Sequence, residues 1–358
     1  MSITAQLRNS VRLSGGDALV NGYALDSRGN GSHRVLLRNG HELEAYDLDE
    51  LFAGEFAPTA FFPLPWPGWD RGVDSVSPDA SFAVFSGQRA VRAVSEGGET
   101  LWEYRHSCWG PLVGHTHTGD EQEVCRGLEH GSCHVSDDGR LVWAHVVVGG
   151  HDRDGEDWHE CWVVLDARNG RELARLPLES AAAGSHHVSH PDGIHVGLCI
   201  GMGQDGILLY WARWDGEKLT SWDLNEGMDR ILTDVHAGHA GFLTVEHYGA
   251  DLQLHALDGA VLAEGVPEAA DGEDSPWWDH GCGFVDADTV IATTIDADED
   301  SERAVRHWLL DARTLDVRGS PMYPTGPADR YVRPLGDGTW LTYDGTSETL
   351  DRWSEAAS

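Results

Sequence analysis

Three histidines frame the chemistry this chain could perform. His134, His187 and His236 each stand two residues ahead of a polar turn, at a step whose neighbours are mostly apolar. Side chains alternate along an extended strand, so a polar residue between apolar ones points away from them. Three such rings at one height around a common centre leave open positions opposite. That arrangement suits a divalent transition metal, Zn, Mn, Fe or Cu. The ion would polarise a substrate or activate water or O2. The same step holds Arg12 and Arg333, whose guanidiniums would grip the carboxylate or phosphate of a small anionic substrate. Lyase, hydrolase and oxidoreductase chemistry all fit this inventory. The plain alternative is a water-filled channel with a polar lining.

Other groups carry weaker signals. His106-Ser107-Cys108-Trp109, His115-Thr116-His117, Cys125 and His130 form a second cluster ahead of His134. It reads as a loop across one channel mouth, adding ligands or an acid–base group, or as a packed Trp/Cys connection. The acidic runs 152–157 and 296–300 have alternating aspartates, but neither fits an EF-hand, and solvated loops are the expectation. Asp74, Asp234 and Asp279 stand near strand starts, where a carboxylate serves as a base or caps a turn. The run Phe61 to Trp69 reads as a segment packed over the first two repeats. No G-x-S-x-G elbow, no H-E-x-x-H and no dinucleotide fingerprint in a strand–helix unit is present. Lys218 is the only lysine, so no Walker A motif exists.

The elements that must position these groups are strands. Alternating apolar segments recur between Gly, Asp, Asn and Pro turns, and long amphipathic helices are absent from the pattern. Ser136-Asp137-Asp138-Gly139 is the clearest turn; Ser77-Pro78-Asp79-Ala80, Ser189 to Gly193, Gly238 to Gly241 and three weaker segments match it. Trp162-Val163-Val164-Leu165-Asp166-Ala167-Arg168 repeats as Trp308-Leu309-Leu310-Asp311-Ala312-Arg313. The reference step falls at Arg12, Ser75, His134, His187, His236, Gly283 and Arg333, and its spacing approaches the ~40–50 residues of a propeller blade. A lone four-stranded sheet cannot cover its own faces, but radial stacking covers them. The expected architecture is therefore all-β: a seven-bladed β-propeller of four-stranded antiparallel blades forming a single domain over 1–358. The last repeat runs short, so Ile3 to Leu7 is expected to supply its outer strand and close the ring.

The Ser-Pro-Asp-Gly-like turns and Asp-ended third strands resemble those of WD40/YVTN-like seven-bladed propellers. Ser221-Trp222-Asp223 supplies a WD dipeptide, while the regular Gly-His pair is missing; Val148-Gly149-Gly150 and Leu176-Pro177 are similar to kelch features. The resemblance covers nearly the whole chain and implies an architecture. It also implies the commonest use of such folds, a non-catalytic scaffold, here recruiting basic protein partners through acidic faces and aromatic loops.

Charge narrows the partners. The 358 residues include 25 Lys+Arg against 60 Asp+Glu, a formal charge of −35, with 20 His and 15 Trp. Such a surface repels phosphate backbones, which argues against nucleic acid. No apolar run approaches the ~20 residues of a membrane span. The start, Met1 to Arg8, lacks a signal-peptide core, so a cytoplasmic location is expected, with six reduced cysteines and no CxxC pair.

Overall fold

The computed structural model describes residues 2–13, 23–27, 33–110, 120, 122–125, 127, 129–149, 158–225, 229–235, 241–267, 276–295, 305–324, 332–344 and 346–356. Its strands group into sheets in chain order. The first sheet runs Tyr23–Ser27, His33–Arg38, Glu42–Asp47 and Ala60–Pro63; the second Ser75–Val76, Phe82–Ser86, Ala90–Ser95 and Thr100–Arg105. The third runs Cys133–Val135, Leu141–Val148, His159–Asp166 and Glu172–Leu178. The fourth runs Gly184–Ser189, His195–Gly201, Ile207–Trp214 and Leu219–Asp223; the fifth Arg230–Val235, Gly241–Glu246, Leu252–Ala256 and Val261–Gly265. All five are antiparallel meanders, as hairpins of alternating sequence demand.

The remaining strands make one eight-stranded sheet. Trp277–Phe284, Thr289–Ile295, Val305–Asp311 and Val317–Met322 form one half, and Val332–Pro334, Thr339–Asp344 and Thr349–Glu355 the other. Ser2–Arg12 lies between the halves. It runs antiparallel to Thr349–Glu355, from Ala5↔Glu355 to Arg12↔Thr349. Its first residues also pair in parallel with the other half, Ser2↔Ser320 to Thr4↔Met322. The closing strand expected from Ile3 to Leu7 is thus present and longer, and it joins two sheets rather than finishing one.

Packing follows from the alternation. Each apolar cluster lies between neighbouring sheets: Phe62 and Phe85 between the first and second, Trp102 and Val163 between the second and third, Trp143 and Leu198 between the third and fourth. Leu13, Tyr343 and Leu350 meet Val35, Leu48 and Leu51, so the last sheet packs on the first. From the second sheet onward, first strands of successive sheets touch one another. Removing residues 2–12 would strip Ala5 and Val11 from these clusters and bare the 349–355 edge. That truncation is expected to cost several kcal/mol and to promote aggregation. Thermal unfolding and size-exclusion chromatography check it; an unchanged Tm and elution volume would refute the closing role.

Candidate metal centre

In the second, third and fourth sheets one turn recurs where the first strand passes to the second. In the second sheet the Ser77 hydroxyl donates to Asp79 (2.8 Å), and in the third Ser136 donates to Asp138 (2.7 Å). Each aspartate also accepts a backbone N–H two residues on, from Ser81 or Arg140, an Asx turn that locks the hairpin. The corner needs a left-handed residue, supplied by Gly139 at φ 70° and, under strain, by Ala80 at φ 56°.

The fourth sheet repeats this turn with imidazoles. His190 N–H donates to the His195 carbonyl at 2.9 Å, as Ser136 N–H does to Leu141 at 3.0 Å. His190 therefore occupies the serine place, Asp192 the aspartate place, and His195 the place of Leu141 and Phe82. His195 Nδ1–H donates to Asp192 Oδ2 at 2.7 Å, and His190 Nδ1 lies 3.1 Å from the same oxygen. The Asp192 N–H also points at His190 Nδ1 at 3.2 Å, a hydrogen bond this nitrogen would give up on binding an ion. One ligand atom from each residue lies within 4.8 Å of the others.

The surroundings fix these rings. Both are nearly buried; His195 stacks on Trp211 (5.9 Å, 13°) and Trp222 (6.2 Å, 28°), and His190 meets Trp211 edge-on. Burial would raise the Asp192 carboxyl, but the two imidazoles and the N–H groups of His195 and Ile194 hold it well below the carboxylate range. Two imidazoles and one ionised carboxylate make a two-His, one-carboxylate donor set for a divalent transition ion, with remaining positions for water or substrate. Neighbouring ligands around a tetrahedral ion stand about 3.3 Å apart, so only a small opening of the His195–Asp192 pair is needed. The spacing H-x-D-x-x-H carries this signal in the sequence, but the first two residues read there as turn punctuation.

The expected three-imidazole set is arranged differently. The last strand pairs before each turn are Val76↔Ala83, Val135↔Val142, Ser189↔Val196 and Val235↔Phe242. Positions equivalent to His134 are therefore Ser75, Val188 and Asp234. His187 stands one step away and faces the opposite side, since a one-residue slip reverses every side chain. Trp162 Nε1–H donates to His187 Nε2 at 2.9 Å. The ring proton is then on Nδ1, which donates to Ser132 Oγ at 3.0 Å. No lone pair is left for a metal. Burial, then the neighbouring His134, His145 and His186, pushes His187 well below the usual imidazole range. His236 lies outside the described residues. Arg12 is at the end of the outer closing strand, 76% exposed and 3.9 Å from Glu348. Two strands separate it from Arg333 in the sheet, about 14 Å at the usual strand spacing, so the two do not form a clamp. Burial lowers the His186 pKa and the Arg333 charge lowers it further, against the Leu232 backbone, which raises it.

The reference step instead stitches sheets together. Ser75 Oγ accepts the Val135 N–H at 3.0 Å, and Asp234 Oδ2 accepts the Phe284 N–H at 2.7 Å, each from the next first strand. Gly283 permits this approach: a Cβ there would lie 2.4 Å from Asp234 Oδ2 and 2.7 Å from Pro334. Burial pushes the Asp234 carboxyl up to about 7, against the Phe284 and Val235 N–H groups and Arg333, and Asp74 up to about 6. A raised acid binds its proton more tightly when folded. Stability from these groups is present in acid and is lost as pH rises from about 4 to 7. Asp234→Asn is expected to flatten Tm between pH 5 and 8; parallel curves for wild type and variant would show that Asp234 does not titrate there.

The secondary candidates separate. His115, His117 and the acidic runs 152–157 and 296–300 lie outside the described residues. Trp66 and Trp69 pack over the second sheet: Arg92 covers the Trp66 ring at 4.7 Å, and Trp69 Nε1–H donates to the Ser86 carbonyl at 3.0 Å. Cys133 and Cys161 pack between the second and third sheets, and Cys199 and Cys282 join the cluster around the fifth.

No family model matches this sequence, and no curated protein matches it. Solved structures match in fold. The β-propeller domain of Cps50 (Swd1) from Myceliophteria thermophila is similar at a TM-score of 0.53 and 11% identity, covering 98% of this chain and 100% of that one. The chain has a propeller-like fold. Dihydro-heme d1 dehydrogenase NirN, in complex with DHE, is similar at a TM-score of 0.51 and 16% identity over 94% of this chain. The match spans 63% of the NirN chain. Among the described residues no helix is long and apolar enough to cross a membrane.

Proposed function

We propose that the protein is a single-domain, seven-bladed propeller that binds one divalent transition metal, Zn, Mn, Fe or Cu, at His190, Asp192 and His195. One observation carries the reading: the aspartate that receives a serine hydroxyl in two equivalent turns here faces two imidazole nitrogens. The seven-fold count is supported by apolar clusters between every pair of neighbours, with the halves of the eight-stranded sheet taken as two blades joined through Ser2–Arg12. Held by these three residues, an ion would supply Lewis-acid chemistry toward a small anionic substrate, for which a chain of charge −35 otherwise offers little attraction. Asp192, the most exposed of the three, marks the open side. Elemental analysis of protein purified without a His tag tests the site. One equivalent of metal, lost when Asp192 is replaced by Asn, is the expected result; no retained metal and no saturable binding would refute it.

A second reading, the interaction scaffold, is favoured by a separate feature. Tyr248, Val261, Leu262 and Val266 are exposed on the fifth sheet or just after it, and Trp277 at the start of the next. On an acidic protein they would anchor a basic partner, and the metal would then stiffen the fourth sheet.

A further inference from the structure

We propose that Cys108 and Cys125 are a thiol pair that forms a reversible intramolecular disulfide. Their sulfur atoms stand 3.6 Å apart, and each residue is 8% exposed. A disulfide needs about 2.05 Å, so closure requires an approach of about 1.6 Å. None of the six cysteines is in a disulfide, and among the described residues this is the one pair in sulfur–sulfur contact. The other four lie on separate strands, Cys133 and Cys161 in the third sheet, Cys199 in the fourth and Cys282 in the eight-stranded one.

The pair is held together from outside. Gln88, nearly buried in the second sheet's central hairpin, accepts the Trp109 N–H on its carbonyl and the Cys125 N–H on its side-chain oxygen, both at 3.0 Å. One residue therefore clamps both ends of a 17-residue separation. His106 N–H donates to the Arg89 carbonyl at 3.0 Å, and Ser107 N–H to Val147 at 2.9 Å. Trp109, 1% exposed, locks the Cys108 side by packing edge-on against His145, with ring centres 5.2 Å apart. Neither strand pairing nor the apolar clusters require two thiols here.

Burial and the neighbouring Cys125 push the Cys108 thiol up to about 12, so it is a poor first nucleophile. Cys108 Sγ donates to Cys125 Sγ, and Cys125 follows the exposed Val124, so Cys125 takes the first step. With a low-molecular-weight disulfide such as oxidised glutathione, the Cys125 thiolate attacks one sulfur and expels a first thiolate. The Cys108 sulfur, giving up its proton to that thiolate, then attacks Cys125 and expels a second. Two protein thiols are oxidised, and one oxidant disulfide is reduced to two thiols.

The test uses the whole chain. Wild-type protein is incubated with oxidised glutathione, denatured, alkylated and digested. The expected result is a Cys108–Cys125 crosslinked peptide with the other four cysteines alkylated, reversed by dithiothreitol, and a Tm several degrees above the reduced form. Cys108→Ser should trap a stable glutathione adduct on Cys125, whereas Cys125→Ser should not accumulate one on Cys108. Alkylation of all six thiols after oxidation would overturn the proposal. So would a crosslink elsewhere, or stoichiometric zinc whose removal must precede any oxidation, which would make the pair metal ligands.

Discussion

A His190→Ser variant is expected to stay folded and to bind zinc at least about 10-fold more weakly than wild type, the order set by losing even outer partners of a metal ligand. The substitution is built from the protein itself. Serine occupies the same place in the second and third sheets and satisfies the turn aspartate from there at 2.7–2.8 Å. The hydroxyl introduced in place of the His190 ring would donate to Asp192 in the same way. The hairpin therefore keeps its lock, while the ion loses an imidazole. Some stability is lost with the edge-on contact to Trp211, and circular dichroism with thermal unfolding measures that loss directly. Zinc should raise the wild-type Tm by mass action and leave the variant nearly unmoved. Affinity should also fall in acid, where protons compete with the metal for its ligands. Equal zinc affinity in wild type and variant would remove the site.

His145→Ala is expected to cost about 1.5–3 kcal/mol, the usual worth of a hydrogen bond to a charged group. His145 and Glu160 are both 0% exposed, and His145 Nε2 lies 3.1 Å from Glu160 Oε2. They end a chain of donors with a single direction. Trp162 gives its N–H to His187, His187 to Ser132, Ser132 to Ser185 at 2.8 Å, Ser185 to His145 at 2.9 Å, and His145 to Glu160. The indole can only donate, so every later proton position follows. Burial would raise the Glu160 carboxyl, yet His145, Ser180 and the Ala182 N–H hold it below its ordinary value. A depressed acid gives its stability above its unfolded pKa and loses it as pH falls toward the folded one. Alanine removes one donor to a buried charge and leaves a cavity beside Trp109. Denaturant unfolding at pH 7 measures the loss. A Glu160→Gln background should shrink it, because an uncharged amide needs the ring less; an unchanged cost there would mean that packing alone holds His145.

Much of the fold was legible because strand and turn chemistry are local. Ser136 to Gly139 announces a hairpin by residue type alone, and Trp162 to Ala167 announces a buried strand by its apolar run. Ile3 to Leu7 could be assigned to an edge because no other repeat was left for it. The candidate site was less legible. His187 and Val188 differ by one register step, and sequence spacing counts residues rather than hydrogen-bonded pairs. Four of the seven reference positions, Ser75, His134, Gly283 and Arg333, match the observed register. His187 is one step from it, His236 is two residues past Asp234, and Arg12 is on a strand of another kind.

The sequence by itself determined the repeating strand–turn plan, the acidic surface and the abundance of imidazoles, because each depends on residue type and near neighbours. Only the tertiary structure decided which imidazoles meet. His190 and His195 converge on Asp192 because a hairpin folds them over one carboxylate, and His187 is taken by Trp162 from the neighbouring sheet. Side-chain direction in a strand reverses with every residue, so which groups share a site depends on pairing between strands, and a linear chain does not carry that pairing.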